Sequence, residues 1–216
     1  MDGDASAGPV ARVVVLAGPS GSGKSRLAAR LGLPVLRLDD YYKDGDDPTL
    51  PRLTTGPNAG LVDWDHPDSW FPRDAVAAIE TLCHQGRVDV PVYEIAQNGR
   101  CGWQRLDLAG ANLFVAEGIF AADVVAAARD AGVLAAAYCV RRSAWTTFWL
   151  RLMRDLRERR KPPLVLVRRG VALARAQRSV VADATAKGCT PLAPDEIVSR
   201  VEALAREQHD VGRVPR

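Results

Sequence analysis

Val10-Ala11-Arg12-Val13-Val14-Val15-Leu16-Ala17-Gly18-Pro19-Ser20-Gly21-Ser22-Gly23-Lys24-Ser25 is the stretch that decides the architecture. Its first half is an apolar, β-branched run broken only by Arg12, which reads as a strand buried on both faces. Its second half fits the pattern G-x-x-x-x-G-K-[ST], and residues 24–32 then read as a helix that stops at Gly32 with Pro34 beyond. Glycines let backbone N–H groups turn inward around phosphate oxygens, and a helix amino terminus adds the positive end of its dipole. A glycine-rich turn with a purely structural role is the competing reading, and the strand and helix on either side weigh against it. The motif predicts that Gly18, Ser20, Gly21, Ser22, Gly23, Lys24, Ser25 and Arg26 bind ATP or another nucleoside triphosphate. Lys24 would meet the β- and γ-phosphates, and the Ser25 hydroxyl would be a ligand of Mg2+.

Working outward, Val35 to Leu38 reads as a second strand that delivers Asp39 and Asp40 at its carboxyl end. Residues 43–72 carry five prolines and several glycines and read as a long irregular segment, a length usually tied to function. Arg73 to Gln85 places Val76, Ile79 and Leu82 on one helical face and stops at Gly86. Val88 to Trp103 reads as a strand pair turning at Asn98-Gly99. A buried strand Leu113 to Ala116 leads to Glu117; a helix over 121–131, a strand over 133–140 and a long helix over 143–160 follow, the last broken by Pro162 and Pro163. Helices near 168–187 and 194–208 finish the chain, and no strand is evident from Thr190 to Pro194. Strands alternating with helices call for a parallel sheet covered on both faces, with ligands at the carboxyl ends of the strands. The expected fold class is therefore α/β: a P-loop NTPase of three α/β/α layers, with a helical lid and a small strand-pair insertion. One domain over 10–208 is expected, flanked by tails 1–9 and 209–216. Residues from about 40 to 110 would serve the acceptor and those from about 143 to 168 the lid.

Bulk properties narrow the class. With 47% apolar and 25% charged residues the chain belongs among globular domains and not disordered ones. The net charge of +3 is small, but Arg151, Arg154, Arg157, Arg159, Arg160 and Lys161 crowd one stretch, which implies a local anionic partner. Bound phosphate explains that crowd without a nucleic acid, since no aromatic-interleaved basic face or zinc-finger spacing accompanies it. Cys83, Cys101, Cys139 and Cys189 lack paired spacing and read as reduced thiols. The opening residues have no signal-peptide pattern and no apolar run is long enough to span a bilayer, so a cytoplasmic protein without a membrane partner is expected. No N-K-x-D string marks a guanine-reading GTPase.

The acids and arginines carry the chemistry. Asp39, at the end of a strand beside the phosphate loop, can take the proton of an acceptor hydroxyl, and Asp40 is its rival for that role or for the magnesium shell. Glu117 ends a buried strand and can hold a magnesium-bound water. Arg151, Arg154 and Asp155 share a helical face with Arg159 one turn on, a spacing that suits either a lid over phosphoryl oxygens or a solvated face laced with ion pairs.

Taken together, these residues resemble the uridine kinase family of P-loop nucleoside kinases, within the group that includes phosphoribulokinase and pantothenate kinase. The resemblance is carried by the loop Gly18 to Ser25, by Leu38-Asp39-Asp40-Tyr41-Tyr42-Lys43, and by Asp63-Trp64-Asp65-His66-Pro67-Asp68-Ser69-Trp70. It continues in Pro91-Val92-Tyr93, Ala116-Glu117-Gly118-Ile119 and the R-D-x-x-E-R core within Arg151 to Arg159. It implies Asp39 as the base and a magnesium-side acid together with Ser25 and Glu117, and Lys24, Arg151, Arg154 and Arg159 as the catalytic cations. Tyr42, Asp65, His66, Tyr93, Asn98 and Arg100 would line the acceptor site, with Asp65 on the ribose hydroxyls. Asn98 stands where the family has a base-reading histidine, and Asp40 where it has a small hydroxyl. The activity implied is ATP- and Mg2+-dependent phosphoryl transfer to a primary hydroxyl of a nucleoside. A non-nucleoside alcohol as acceptor, or a nucleotide-binding switch without catalysis, are the alternatives, and a homo-oligomer is left open.

Overall fold

The computed structural model describes residues 8–56, 58–141 and 178–211. The helix read at 143–160, the lid with Arg151, Arg154 and Arg159, and the first half of the helix read at 168–187 lie outside the described residues.

The run that opens the chain becomes strand β1 (Arg12–Ala17), and its residues from Val13 to Ala17 are almost wholly buried because it lies in the middle of a sheet. On one side β1 pairs with β5 (Leu113–Glu117), on the other with β6 (Leu134–Val140), both parallel. Strand β2 (Val35–Arg37) joins β5, and β7 (Thr190–Leu192) joins β6, giving the parallel order β2-β5-β1-β6-β7.

The alternation of a strand sends neighbouring β1 residues to opposite faces. Val13, Val15 and Ala17 pack with Ala78, Ile79 and Leu82 of α2 (Pro72–Gln85) and with Val125 and Ala128 of α3 (Val125–Asp130). Val14 and Leu16 pack with Leu27 and Ala28 of α1 (Lys24–Leu31) and with Ile197, Val198 and Val201 of the carboxyl-terminal helix. A helix over 178–186, here α4, contributes Ala184 to the first face, and the last helix is α5 (Pro194–Val211). Three layers result, as the alternation of elements predicts.

The hairpin is longer than the sequence pattern predicts: β3 (Arg87–Glu94) and β4 (Gly99–Asp107) run antiparallel, with Asn98 at φ 48° in the turn. The second strand is shorter, since Leu38 to Tyr41 coil into a 3-10 turn. Within the irregular segment 43–72, His66 starts a short 3-10 turn over Pro67–Ser69, and the isolated bridge Tyr42 to Trp70 ties the two ends of the segment together. Strand β7 is a correction, because no strand was expected from Thr190 to Pro194. It is three residues long and contains Pro191, which has no N–H to donate, and it pairs only with β6. Such a strand survives at a sheet edge and leaves almost no periodic signal. Among the described residues no helix is long and apolar enough to cross a membrane.

Candidate active site

The parallel sheet places the ends of β1, β2 and β5 along one rim. Gly18 to Ser25 leaves β1 there and enters α1. Gly21 and Gly23 adopt φ values of 78° and 89°, the left-handed region that L side chains avoid. A Cβ added to Gly18 would lie 3.1 Å from Ser22 Oγ and 3.2 Å from the Val140 carbonyl oxygen, so the loop closes tightly against β6. The Lys24 ammonium is buried and donates to the carbonyl oxygens of Gly18 at 2.8 Å and Pro19 at 3.3 Å. Helix α1 begins on Gly23 with no side-chain cap and no acidic residue in its first turn. Its amino-terminal amides and dipole therefore face the loop without a competing carboxylate, a donor set suited to phosphate oxygens. Ser22 Oγ is fully buried and has no hydrogen-bond partner, a polar atom left available within the loop.

Register brings the acids together. Glu117 lies opposite Leu16 of β1 and opposite Arg37 of β2, which stand two residues before Gly18 and two before Asp39. The Ser25 hydroxyl donates to Glu117 Oε1 at 2.8 Å. Burial raises the Glu117 carboxyl above its ordinary value, while the Ser25 hydrogen bond and the Lys24 charge work the other way and Asp39 adds to the rise. Asp39 Oδ1 accepts the Ile119 main-chain N–H at 3.0 Å. Gly118 makes room for it, since a Cβ there would lie 2.8 Å from that same oxygen.

Asp40 takes another direction. Only 3% exposed, its carboxylate meets the Arg37 guanidinium at 3.7 Å. Its pKa is raised by burial first and by the Asp39 charge, and the Arg37 charge works the other way. The two aspartates point differently: Asp39 lies against the end of β5, and Asp40 faces Arg37.

The acceptor-side residues divide into two groups. Tyr42 sits among rings, with Trp64 at 5.7 Å, Tyr93 at 5.8 Å and Phe120 at 5.9 Å, and its hydroxyl donates to the Trp64 carbonyl oxygen. Burial and the nearby charges of Asp39 and Asp65 push the Tyr42 phenol upward, so it stays neutral. Phe120, stacked on Trp70 at 5.3 Å, was not singled out from sequence; its signal was an aromatic three residues past the strand-end acid. Asp65 is exposed, and His66 Nδ1 accepts the Asp68 N–H as a turn cap. Asn98 is exposed at the hairpin tip, where its main-chain carbonyl accepts the Gly45 N–H. Arg100 stacks its guanidinium 5.6 Å from both Phe71 and Trp103, while its main-chain N–H donates to Asp44 Oδ1 at 2.7 Å. Arg26 is exposed on α1.

Ser25 spends its one hydroxyl hydrogen on Glu117, which turns its lone pairs outward. With Glu117 beside it, that all-oxygen donor set suits a hard cation that keeps several waters, as Mg2+ does. Among the described residues no group of three or more His, Cys, Asp or Glu converges as a metal cage.

No family model matches the chain. Over 115 residues it is 24% identical to a uridine kinase of Lactobacillus helveticus (strain DPC 4571), a match that covers 50% of this chain and 51% of that protein. The chain thus spans about half the length of the curated relative it matches. Among solved structures it superposes on a "putative fructose transport system kinase" from Silicibacter sp. TM1040 with a TM-score of 0.55 and 19% identity, covering 90% of this chain and 91% of the other. The chain has a P-loop kinase fold, a mostly parallel five-stranded sheet between helices with an antiparallel strand pair. A "possible uridine kinase" from Bacillus stearothermophilus aligns over 66% of this chain and 76% of its own, at 18% identity and a TM-score of 0.47. In this P-loop kinase fold the antiparallel pair β3 and β4 stands apart from the main sheet, and its Tyr93 reaches the ring cluster beside Asp39.

Proposed function

We propose that the chain is an ATP- and Mg2+-dependent kinase that phosphorylates a primary hydroxyl of a small acceptor, a nucleoside in the first instance. The observation that supports this most is Asp39 held by the Ile119 amide beside the Ser25 and Glu117 pair. A regulatory binder needs the phosphate loop but has no use for a carboxylate fixed at that place.

In the proposed reaction the acceptor oxygen attacks the γ-phosphorus, the bond from that phosphorus to the ADP oxygen breaks, and the hydroxyl proton passes to Asp39. The loop amides and Lys24 bind the phosphate chain, and Arg151, Arg154 and Arg159 belong to the proposal as cations of the lid. Ser25 and Glu117 would hold Mg2+, which when bound neutralises charge on the phosphate oxygens. The rings of Tyr42, Tyr93, Trp64 and Phe120 give a flat acceptor an apolar wall, and Asp65 offers a carboxylate to paired hydroxyls. Residues 10–208 act as one cytoplasmic kinase domain in this reading.

A second acceptor class is favoured by one feature. Asn98 is exposed at φ 48° and its main-chain carbonyl accepts the Gly45 N–H, so the residue at the family's base-reading position helps to form the hairpin turn. A non-nucleoside alcohol fits that arrangement.

Steady-state ADP release with Mg2+ and ATP, over a panel of nucleosides and pantothenate-like alcohols, tests the proposal. Acceptor-stimulated release by one class is expected, and Asp39→Asn should lower kcat by about 10²- to 10⁴-fold while ATP affinity stays within severalfold. Protein that binds ATP and consumes no acceptor would instead be a nucleotide-dependent switch.

A further inference from the structure

Asp44 is a half-buried carboxylate a short way past the proposed base, and the reaction above gives it no part. Its Oδ1 accepts the main-chain N–H of Arg100 at 2.7 Å. One residue on, the Gly45 N–H donates to the Asn98 carbonyl oxygen at 2.6 Å. These two bonds seat the start of β4 on the chain that leaves Asp39.

Gly45 lets the two segments come this close. A Cβ there would lie 2.9 Å from Asn98 Cβ and 3.0 Å from the Asn98 carbonyl oxygen. Its backbone is not in the left-handed region, so what glycine supplies is space.

The hairpin is irregular at the same place. Val92 lies opposite Gly102 but Tyr93 lies opposite Arg100, so Cys101 is an extra residue and the ladder is interrupted there. Bulges re-aim side chains and leave backbone groups in need of partners, and the Arg100 N–H finds Asp44. Tyr93, opposite Arg100, brings its ring 5.8 Å from that of Tyr42, two residues before Asp44. The contacts thus close a circuit from Tyr42 along the chain to Asp44, across to Arg100, over to Tyr93 and back. On its other side the same stretch is tied to the end of the irregular segment: Lys43 N–H donates to the Ser69 carbonyl oxygen and Phe71 N–H to that of Tyr41, both at 2.9 Å.

We propose that Asp44, with Gly45, is a positioning residue of the acceptor side: the pair latches the hairpin to the chain that carries Asp39 and so fixes the Tyr93 ring relative to the base. An acceptor held between that ring and Asp39 meets the base in a set register, and small displacements there cost rate steeply. This consequence rests on the kinase reading; the latch itself does not.

Wild type, Asp44→Ala, Asp44→Asn and Gly45→Ala are compared by amide hydrogen exchange, by binding of a non-hydrolysable ATP analogue and, with uridine as acceptor probe, by steady-state kinetics. Asp44→Ala should exchange the Arg100 amide about tenfold faster or more, with the β1 and β5 amides and the affinity for the analogue unchanged. Asp44→Asn, whose side-chain oxygen still accepts an N–H, should restore protection to within about threefold. Gly45→Ala, which forces the segments apart, should free the Arg100 amide as Asp44→Ala does. In both alanine variants the KM for uridine rises about threefold or more while the KM for ATP holds, and the asparagine variant recovers it. Unchanged exchange at Arg100 in Asp44→Ala overturns the proposal, and so does protection lost evenly over β1, β5 and the hairpin, the mark of a general folding defect. A uridine KM that stays at the wild-type value once the Arg100 amide is free overturns it too. Wild type that fails to phosphorylate uridine counts against the nucleoside reading and not against the latch, which the exchange comparison decides.

Discussion

The Ser25 hydroxyl gives its hydrogen to Glu117 Oε1 at 2.8 Å, joining the first turn of α1 to the end of β5. Strand β1 lies beside β5 and feeds the phosphate loop, so this one bond closes the ring of elements around the site. It also leaves a buried carboxylate a short way from Asp39, and the raised pKa of Glu117 follows from burial first and from that neighbour last.

A raised acid binds more protons in the folded than in the unfolded state. Its contribution to stability is therefore best at low pH and is lost as pH rises from the ordinary carboxylate range through the raised value. Above that value the ionised side chain is a burden that glutamine does not carry, and a glutamine Oε1 still accepts from Ser25. Glu117→Gln should raise the melting temperature at pH 8 by about 2–4 °C, the gain vanishing near pH 4. Thermal unfolding across that range checks it; a variant less stable at every pH would remove the premise.

Lys24 lies buried with its ammonium on the carbonyls of Gly18 and Pro19. Charge-assisted bonds to phosphate are stronger than bonds to neutral carbonyls, so nucleotide should draw the ammonium off the loop. Lys24→Met is expected to weaken ATP binding about 10- to 100-fold by calorimetry, with little change in the melting temperature of the nucleotide-free protein. A dissociation constant within about twofold of wild type would mean that the ammonium stays on the loop when ATP binds.

The phosphate loop was legible because its chemistry is local: glycines, lysine and serine at fixed spacing between a strand and a helix. Asp39 and Glu117 were legible because each ends an apolar run, and parallel sheets put such ends on one rim. The direction of Asp40 was not, since it depends on the 3-10 turn of Leu38 to Tyr41, which cuts the second strand short and which no spacing announces. Phe120 joins the Tyr42 rings through the turn after β5, and β7 forms by docking on β6, so both are tertiary outcomes with no local signature. Asn98 illustrates the same limit: its dipeptide marked the turn, yet the bond from Gly45 depends on a loop far away in sequence.

Burial should also sort the thiols. Cys83, Cys139 and Cys189 are buried and Cys101 is exposed. Burial pushes the Cys83 and Cys189 thiols up to about 12 and raises Cys139 as well. Only a thiolate reacts quickly, so the native protein at pH 8 should show one fast thiol towards a chromogenic disulfide, and four after unfolding. Cys101→Ser should abolish the fast phase. A second fast thiol in the native protein would mean that a core strand opens readily.

Gly118 gives the sharpest test of where the base must sit. It is buried, its backbone is not in the left-handed region, and alanine there meets no conformational penalty. The obstacle is contact: a Cβ would stand 2.8 Å from Asp39 Oδ1 and 2.9 Å from Leu38 Cβ. Asp39 must then swing off the Ile119 amide or the 3-10 turn must shift. Overpacking of this kind costs about 1–3 kcal/mol of stability, and a displacement near 1 Å can cost about 100-fold in rate. Gly118→Ala is thus expected to lose more than tenfold in kcat while its ATP affinity holds, because the phosphate loop lies on other elements. Steady-state kinetics beside calorimetry separate the two effects. Full kcat in a folded Gly118→Ala protein would show that the Asp39 carboxylate need not lie against the end of β5 for transfer, and the base assignment would fall with it.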